Sequence, residues 1–305
     1  MGKIKYYIQH PHEIIIALGE HGMLPMISDE KFIQYKYRVR VGKKLDLLTP
    51  KTFNEKMQWI KLYDRNPLYT KLVDKYEVKK YVEKKLGAEY VIPTLGVWNN
   101  FDEIDFSQLP EQFVLKCTHD SGGLVICKNK KCLNKEKAKN KIERSLSNNY
   151  YLHSREWPYK GVRPRILAET YMEDELGDLS DYKIHCFNGV PKVILVCRNR
   201  YTSKGLSEDF FTDNWEHINV KRPHIRNSDV EIERPDKLEE MIEIARELSK
   251  GIPFVRVDLY LIRGKIYFGE LTFFPASGFK PFLPESFDTT MGEWIDLPNK
   301  RQEGR

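Results

Sequence analysis

Two short polar patterns interrupt apolar segments near the end of the chain. Arg256-Val-Asp258 lies within the apolar run Phe254 to Leu261, and Glu270-Leu-Thr272 ends the run that begins at Lys265. In a β-strand, residues two apart share one face. Polar side chains on an otherwise apolar strand need partners, so these four side chains are predicted to meet one another or a ligand.

The turn between the two segments decides how their side chains align. An odd-numbered loop such as Arg263-Gly264-Lys265 would place Asp258 opposite Glu270 and Arg256 opposite Thr272, whereas a two-residue turn would separate them. Opposed carboxylates repel unless a cation lies between them, and magnesium suits such a pair when phosphates complete its octahedron. A structural network of arginine with carboxylates is an equally open alternative.

A second pattern, Lys116-Cys-Thr-His-Asp-Ser-Gly-Gly123, leads a basic strand residue into a glycine-containing loop. Such loops bring backbone N–H groups close to phosphate oxygens, although ordinary hairpin turns use the same residues. Lys75 follows Asp74, which is a suitable N-cap for a helix closed by Gly87. A cation at this end of a helix opposes the helix dipole, so Lys75 is either solvated or in contact with an anion.

The elements that carry these residues alternate between hairpins and helices. Hairpins are predicted for 113–127, for 181–198 around Asn188-Gly189, and for 254–271. Helices are predicted from the apolar spacing in 138–146 and 238–248, and a strand in 165–171. A further helix, capped by Thr52 or Asn54, is predicted in the N-terminal part. Two successive units of this kind indicate an α+β fold with two lobes.

Composition excludes several classes of protein. The 305 residues are 41% apolar and 12% aromatic, enough for a substantial core, and 50 basic against 44 acidic residues leave a net charge of only +6. Most basic residues are interleaved with acids, so no nucleic-acid partner is expected. The exception is the basic segment 36–44, whose solvated-face interpretation is preferred over a patch for an acidic polymer or lipid surface.

The sequence also predicts the compartment. No apolar run approaches the roughly 20 residues that span a bilayer, and no secretory signal is evident, so no transmembrane segment and a cytoplasmic location are expected. Five scattered cysteines favour reduced thiols over disulfides.

Taken in order, these motifs resemble the ATP-grasp superfamily, specifically its branch similar to the teichuronopeptide-biosynthesis protein TupA. The resemblance extends from about residue 35 to 280, and its motifs are Asn54 to Arg65, Asp74-Lys75, Leu109 to Gly123, Asp181 to Gly189 and Phe268 to Gly278. It implies an ATP-grasp fold in which two α+β lobes with antiparallel sheets clasp ATP. We accordingly divide the chain into an N-terminal helical segment (1–65), a pre-ATP-grasp region (66–112) and an ATP-grasp domain (113–300), with lobes at approximately 113–172 and 173–285.

The resemblance also implies roles for individual residues. ATP would contact a set comprising Lys75, Lys116, Ser121, Gly122, Gly123, Glu169, Tyr171 and Glu173. Lys183 would be a further phosphate contact, and Arg256 would face the acyl-phosphate. The magnesium ligands would be Asp258, Glu270 and Thr272, the last at a position where many ATP-grasp enzymes have Asn.

The chemistry implied by the resemblance is ligation that uses ATP and Mg²⁺. A carboxylate attacks the γ-phosphate, and an amine captures the acyl-phosphate to form an amide. Similar proteins lie in capsule and surface-polysaccharide pathways, so the expected partners are a uronic-acid carboxylate and an amine or amino acid. Peripheral association with a polysaccharide assembly complex is left open. The alternatives are a glycosyltransferase of polysaccharide biosynthesis and a non-catalytic nucleotide-binding protein.

Overall fold

The computed structural model describes residues 9–173, 181–199 and 205–299. The described part begins with a helical segment of five helices: α1 (Pro11–Glu20), α2 (Asp29–Val41), α3 (Phe53–Tyr63), α4 (Leu68–Val73) and α5 (Glu77–Leu86). The predicted helix with a Thr or Asn cap is α3, and its capping box joins Thr52 and Glu55 reciprocally. Asp74 accepts hydrogen bonds from the N–H groups of residues 76 and 77, but α5 begins only at Glu77 and its N-cap is Tyr76, not Asp74 as predicted. The predicted end at Gly87 is confirmed.

A four-stranded antiparallel sheet forms the first lobe. Its strands are β1 (Thr94–Trp98), β2 (Phe113–Cys117), β3 (Leu124–Cys127) and β4 (Ile166–Thr170), in the spatial order β1-β4-β2-β3. Helices α6 (Lys135–Leu146) and α7 (Tyr150–Ser154) lie between β3 and β4 in the chain. The β2–β3 hairpin and β4 were predicted. Strand β1 was not predicted, and it joins residues of the 66–112 region to this sheet.

A six-stranded antiparallel sheet forms the second lobe. Its strands are β5 (Asp181–Phe187), β6 (Val190–Arg198), β7 (Ser207–Thr212), β8 (His217–Ile218), β9 (Phe254–Ile262) and β10 (Lys265–Thr272). Their spatial order is β10-β9-β5-β6-β7-β8. Both predicted hairpins of this lobe are present, and β7 and β8 were not predicted.

The remaining helices complete the second lobe. Helix α8 (Leu238–Ser249), which was predicted, packs on β5, β6 and β9, and α9 (Ser286–Glu293) packs on α3. Single turns of 3₁₀-helix occur at Ala88–Tyr90, Phe101–Glu103, Lys130–Cys132, Trp157–Gly161 and Pro275–Gly278. The short last turn lies directly after β10, where it bears on the site described below.

The buried apolar residues separate into two clusters. The larger cluster joins the six-stranded sheet to α8 and to the N-terminal helices, and the smaller one lies between the four-stranded sheet and α6. The predicted α+β architecture with two lobes is therefore confirmed, because each sheet has its own core. In the described residues, no helix is long and apolar enough to cross a membrane. The five cysteines, all within the described part, form no disulfide, and Cys132 is the exposed one.

Candidate active site

The β9–β10 hairpin brings the two polar patterns together on one face. Glu270 lies opposite Asp258, and Thr272 lies opposite Arg256. The same row continues into β5, where Lys183 pairs with Asp258. Paired residues of neighbouring strands point to the same side of a sheet, so these side chains share one face. The period-two pattern in the sequence therefore predicted this convergence.

The hairpin reaches this alignment with a different turn from the one expected. Ile262 pairs with Lys265, so the turn has two residues and not the odd number that the sequence analysis required. A β-bulge at Gly269 adds one residue to β10 and restores the alignment. A Cβ atom at Gly269 would lie 3.0 Å from the carbonyl oxygen of Asp258 and 3.0 Å from the Tyr260 ring, so glycine permits this close approach.

Asp258 is the buried centre of an ion-pair cluster. Its carboxylate accepts hydrogen bonds from Nε and Nη2 of Arg256, both at 2.6 Å, and it also contacts Nζ of Lys183. Burial works to raise the pKa of Asp258, but the charges of Arg256 and Lys183 outweigh it and the pKa is lowered. Asp258 is therefore an anion held between two cations.

Substituting Asp258 by Asn is expected to destabilise the fold. The change leaves two buried cations without their shared anion, and breaking a buried ion pair costs about 3–5 kcal/mol. Urea unfolding followed by circular dichroism measures the loss. Glu243→Gln, on the solvent side of α8 where the side chain is 70% exposed, is the control and should leave the midpoint unchanged. Equal unfolding midpoints for wild type and Asp258→Asn would contradict the conclusion that Asp258 is the anion shared by two buried cations.

Glu270 has a different environment from its neighbour across the hairpin. Its side chain is 45% exposed and lies 3.5 Å from Nη2 of Arg256. It accepts a hydrogen bond of 3.2 Å from the hydroxyl of Thr272, which in turn accepts one of 3.0 Å from Arg256. The site therefore combines one enclosed and one accessible carboxylate.

Lys183 links β5 to this cluster and introduces a carboxylate that the sequence analysis missed. Its Nζ lies 2.5 Å from Asp181 and also contacts Asp258. Burial works to lower the pKa of Lys183, but the charge of Asp258 raises it overall, so the ammonium form is kept. The missed signal was Asp181-Tyr-Lys183, a period-two polar pair on a strand like those of β9 and β10.

The chemistry of these donors fits magnesium. Carboxylate and hydroxyl oxygens from Asp258, Glu270 and Thr272 are the hard ligands that Mg²⁺ prefers. Across the described ranges, no group of three His, Cys, Asp or Glu side chains could hold a metal ion. The oxygens of Asp258 already contact Arg256 and Lys183. Glu270 is therefore the accessible ligand, whereas the carboxylate of Asp258 already accepts three hydrogen bonds.

Lys116 and Glu169 meet on adjacent strands of the first lobe. Nζ of Lys116 lies 2.5 Å from Glu169, and Lys79 of α5 contacts the same carboxylate from the other side. Burial works to raise the pKa of Glu169, but the charges of Lys116 and Lys79 lower it to about 2. Lys79 was missed by the sequence analysis, and its only signal was its position one helical turn after Lys75.

The low pKa of Glu169 predicts a pH-dependent contribution to stability. The carboxylate has a lower pKa in the folded chain than its ordinary value of 4.5, so its contribution is present above pH 4.5 and is lost as pH falls towards 2. Linkage puts this contribution at on the order of 3 kcal/mol near neutral pH. Glu169→Gln should therefore lower the free energy of unfolding at pH 7 and much less at pH 2.5. A wild-type advantage that is constant with pH would contradict the proposed pairing.

The glycine-containing loop after β2 is held by its own aspartate. The Asp120 carboxylate accepts a hydrogen bond of 3.1 Å from the N–H of Gly123 and another from the hydroxyl of Ser145. Lys75 donates to the carbonyl oxygen of Asp120, so the predicted phosphate-binding lysine does lie beside the loop. A Cβ atom at Gly123 would collide with Ser145 and Cys117, which explains the glycine. Gly122 is less confined.

Two other predicted contacts of ATP lie just after β4. The hydroxyl of Tyr171 donates a 2.8 Å hydrogen bond to Glu173, and Nζ of Lys128 lies 3.7 Å from the same carboxylate. Tyr171 and Glu173 follow Glu169 closely in the chain, but they lie outside the ion-pair cluster that Glu169 forms with Lys116 and Lys79. The residues that follow, 174–180, lie outside the described part.

The charges of several site residues act on two tyrosines, Tyr260 and Tyr150. Burial raises the pKa of Tyr260 well above its usual value, and the rise is increased by carboxylates of both lobes: Asp181, Glu270 and Asp258 of the second sheet and Glu169 of the first. Ser121 of the glycine-containing loop lies 3.3 Å from the hydroxyl of Tyr150, whose pKa is raised by burial and by carboxylates that include Glu270. Charged residues of both lobes therefore act on Tyr260, which brings Glu169 of the first sheet near the carboxylates of the second.

A strained turn follows β10. Ala276 and Ser277 have φ of 49° and 55°, in the left-handed region that side chains disfavour. Fully buried polar groups of α3 hold the turn: Gln58 donates 2.7 Å to the carbonyl of Gly278, and Lys61 donates 2.7 Å to that of Ser277. The N-terminal helices thus support the site. Lys61 was not predicted, because its helix spacing is that of an ordinary core position.

The basic segment 36–44 is largely neutralised by the rest of the chain. Lys36 is buried and pairs with Glu20 at 2.7 Å, Arg40 pairs with Glu13, and Lys43 lies 2.6 Å from Glu285. Arg40 and Lys43 are exposed, as the preferred interpretation of a solvated face predicts, whereas the buried Lys36 contradicts it. These contacts give no support to a dedicated patch for an acidic polymer.

The α+β fold has two antiparallel sheets, with a glycine-containing loop on one and opposed carboxylates on the other. This is the arrangement expected from the motifs, which resemble the ATP-grasp superfamily. Residues 55–296 match the family described as TupA-like ATPgrasp. The match covers most of the chain, and the protein belongs to this family. The resemblance drawn from the motifs is thereby confirmed.

Solved structures with a similar fold include two D-alanine–D-alanine ligases. The ligase from Bacillus anthracis complexed with ATP is 16% identical, with a TM-score of 0.39, and the match covers 72% of this chain and 56% of that one. The ligase from Helicobacter pylori is 16% identical, with a TM-score of 0.41 and coverage of 81% and 70%. The ATP-grasp ligase PsnB, complexed with a minimal precursor, Mg and ADP, is 10% identical, with a TM-score of 0.40 and coverage of 83% and 64%.

The chain spans 56% and 64% of the length of the two Bacillus anthracis ligase structures that it matches. No curated protein matches it.

Proposed function

We propose that this protein is an ATP-dependent ligase that joins a carboxylate to an amine through an acyl-phosphate. The observation that carries the proposal is the pairing of Asp258 with Glu270 on one face of the second sheet, next to Arg256. The first sheet supplies Lys116, paired with Glu169. Membership in the TupA-like ATP-grasp family supports the same chemistry.

In this proposal the first lobe binds the nucleotide. Lys116 and Lys75 contact the phosphates, and the Ser121-Gly-Gly123 loop covers them with backbone N–H groups. Lys116 is 25% exposed, so it can reach an anion beyond Glu169. Glu169 and Tyr171 lie beside adenine, with Glu173 near the ribose. Lys79 keeps Glu169 ionised and in place while Lys116 engages a phosphate.

The second lobe supplies the metal site and the cations of the reaction. Asp258, Glu270 and Thr272 would hold Mg²⁺, which neutralises charge on the phosphoryl oxygens. Arg256 remains positively charged, because the charge of Asp258 raises its pKa despite burial. Its guanidinium can therefore stabilise the anion that develops as the phosphoryl group is transferred. Lys183 provides a second cation on the same face.

The proposed reaction has two displacements. An oxygen of the substrate carboxylate attacks the γ-phosphorus, the bond between this phosphorus and the β–γ bridging oxygen breaks, and ADP leaves. An amine then attacks the acyl carbon, inorganic phosphate leaves, and the nitrogen loses a proton as the amide forms. Positioning and electrostatic stabilisation by fixed cations supply most of the rate enhancement in such transfers.

The proposed carboxylate is that of a uronic acid, and the amine is that of an amino acid or a similar compound. The resemblance to the TupA-like branch supports this choice. The proposed pathway is capsule or surface-polysaccharide biosynthesis. Thermal unfolding tests the nucleotide preference, since a ligand bound only by the folded state raises the melting temperature. Stabilisation by Mg-ATP is expected, and stabilisation by a UDP-sugar alone would favour the glycosyltransferase alternative.

Lys116→Ala is expected to weaken ATP binding by about 10- to 100-fold, because it removes a charge-assisted hydrogen bond to a phosphate. Calorimetric titration with a non-hydrolysable ATP analogue measures the effect. Lys139→Ala is the matched control, since Lys139 is a surface lysine of α6 whose partner is Asp102 at 2.6 Å. Unchanged affinity in the Lys116 variant would contradict the placement of the phosphates.

A further inference from the structure

Arg222 lies over the site face of the six-stranded sheet, in the connection between β8 and α8. Its neighbour Lys221 is fixed to Leu283 by two backbone hydrogen bonds of 2.9 and 2.8 Å. The Arg222 guanidinium stacks on the Phe282 ring, 4.5 Å from its centroid, and lies 3.7 Å from Glu208 of β7. Glu208 pairs across the sheet with Cys197, and Cys197 with Asp181. Arg222 therefore lies on the same face as the carboxylate cluster.

The guanidinium of Arg222 has too few partners for its burial. The side chain is 6% exposed, yet a single hydrogen bond joins it to the described residues, a 3.2 Å contact from Nη1 to the carbonyl oxygen of Lys280. Arginine has five N–H donors, and the distance to Glu208 is too long for a hydrogen bond. Among the described residues, no Arg222 nitrogen is a fully buried atom without a partner. The unused N–H donors are therefore accessible to a ligand.

A second arginine bounds the same space. Arg256 lies directly across from His185 on β5, and the charges of Arg256 and Arg222 both reach the His185 ring. Burial and these two cations lower the pKa of His185 well below its usual value, so the ring between them stays neutral. Burial lowers the pKa of Arg222, and the charge of Arg256 contributes to this lowering. Like charges repel, so an anionic ligand in contact with both guanidinium groups would be stabilised by each of them.

We propose that Arg222 and Arg256 together form a subsite for the carboxylate of the acceptor substrate. The subsite rests on the proposed ligase function and assigns the acceptor class as a small organic acid, with Arg256 near the reacting group and Arg222 beside it. The carbonyl oxygen of Lys280 and the ring of Phe282 hold the Arg222 side chain in place. A compact anion suits this space because guanidinium groups bind carboxylates through paired N–H donors.

Calorimetric titration of the full chain with D-glucuronate, in the presence of Mg²⁺ and a non-hydrolysable ATP analogue, tests the subsite. Wild type is expected to bind D-glucuronate and not neutral D-glucose. Arg222→Gln should weaken glucuronate binding by about 10- to 100-fold and leave nucleotide affinity unchanged. Arg222→Lys should recover part of the loss, because it restores the charge without the planar fork. Arg234→Gln, an exposed arginine of the same connection, is the matched control.

The double variant Arg222→Gln/Glu208→Gln guards against simple unfolding. It removes the charge of Glu208 together with that of Arg222, so no buried anion is left unpaired, and it too should lose glucuronate binding. Unchanged glucuronate binding in folded Arg222 variants, equal binding of glucose, or no glucuronate binding by wild type would each overturn the inference. Failure of the ligase reaction has a separate readout, the absence of carboxylate-dependent ADP formation by wild type.

Discussion

Replacing Glu270 by Gln is expected to reduce carboxylate-dependent ADP formation by about 100- to 1000-fold, since a metal ion contributes several kcal/mol to charge stabilisation in such transfers. The substitution keeps the shape of the side chain and removes the accessible anionic ligand. Because Glu270 is 45% exposed, the fold should survive the change. The expected result is an inactive protein with a wild-type melting temperature.

The metal dependence of nucleotide binding separates this explanation from a general loss of activity. Wild type should bind a non-hydrolysable ATP analogue more tightly with Mg²⁺ than with a chelator, and Glu270→Gln should lose most of that difference. Glu243→Gln serves again as the control, because its carboxylate pairs with Arg246 on the solvent side of α8. If the Glu270 variant kept the full Mg²⁺ dependence of nucleotide binding, the assignment of the metal site to β10 would be wrong.

The convergence of β9 and β10 could be predicted because strand periodicity is a local property of the sequence. Arg256 and Asp258 share a face whatever the rest of the chain does. The loop could not be predicted correctly, since the alignment depends on a bulge at Gly269 that compensates for a two-residue turn. The two-residue turn and the bulge together give the same register as the odd-numbered loop that was predicted from the sequence.

The residues that the sequence analysis missed share a physical cause. Lys79, Lys61 and Arg222 are buried cations whose importance depends on partners that are distant in the chain, such as Glu169 for Lys79. Their local patterns are those of ordinary helix or loop positions. Strands β1 and β7 were missed for a related reason, because long-range pairing decides whether a short segment becomes a strand.

The nucleotide products are expected to be ADP and inorganic phosphate, not AMP and pyrophosphate, and they should appear only when a carboxylate is present. In the proposed site Asp258 and Glu270 would hold Mg²⁺, which would neutralise phosphoryl charge, and Lys116 and the loop at Ser121 would contact the phosphates from the other lobe. This arrangement favours attack of the carboxylate on the γ-phosphorus, so the expected intermediate is an acyl-phosphate.

Hydroxylamine is expected to trap this acyl-phosphate as a hydroxamate, which forms a coloured complex with ferric iron and can be quantified beside ADP. A panel of uronic acids, with D-glucuronate first, supplies the carboxylate, and D-glucose is the neutral control. Glu270→Gln should form neither product, because the charge that it removes is needed for phosphoryl transfer, whereas Glu243→Gln should form both. Release of AMP would refute attack at the γ-phosphorus while leaving the fold and the nucleotide site in place. Release of UDP from a UDP-sugar without ATP would instead assign the site to glycosyl transfer, and the ATP-grasp fold would then be present without its usual chemistry.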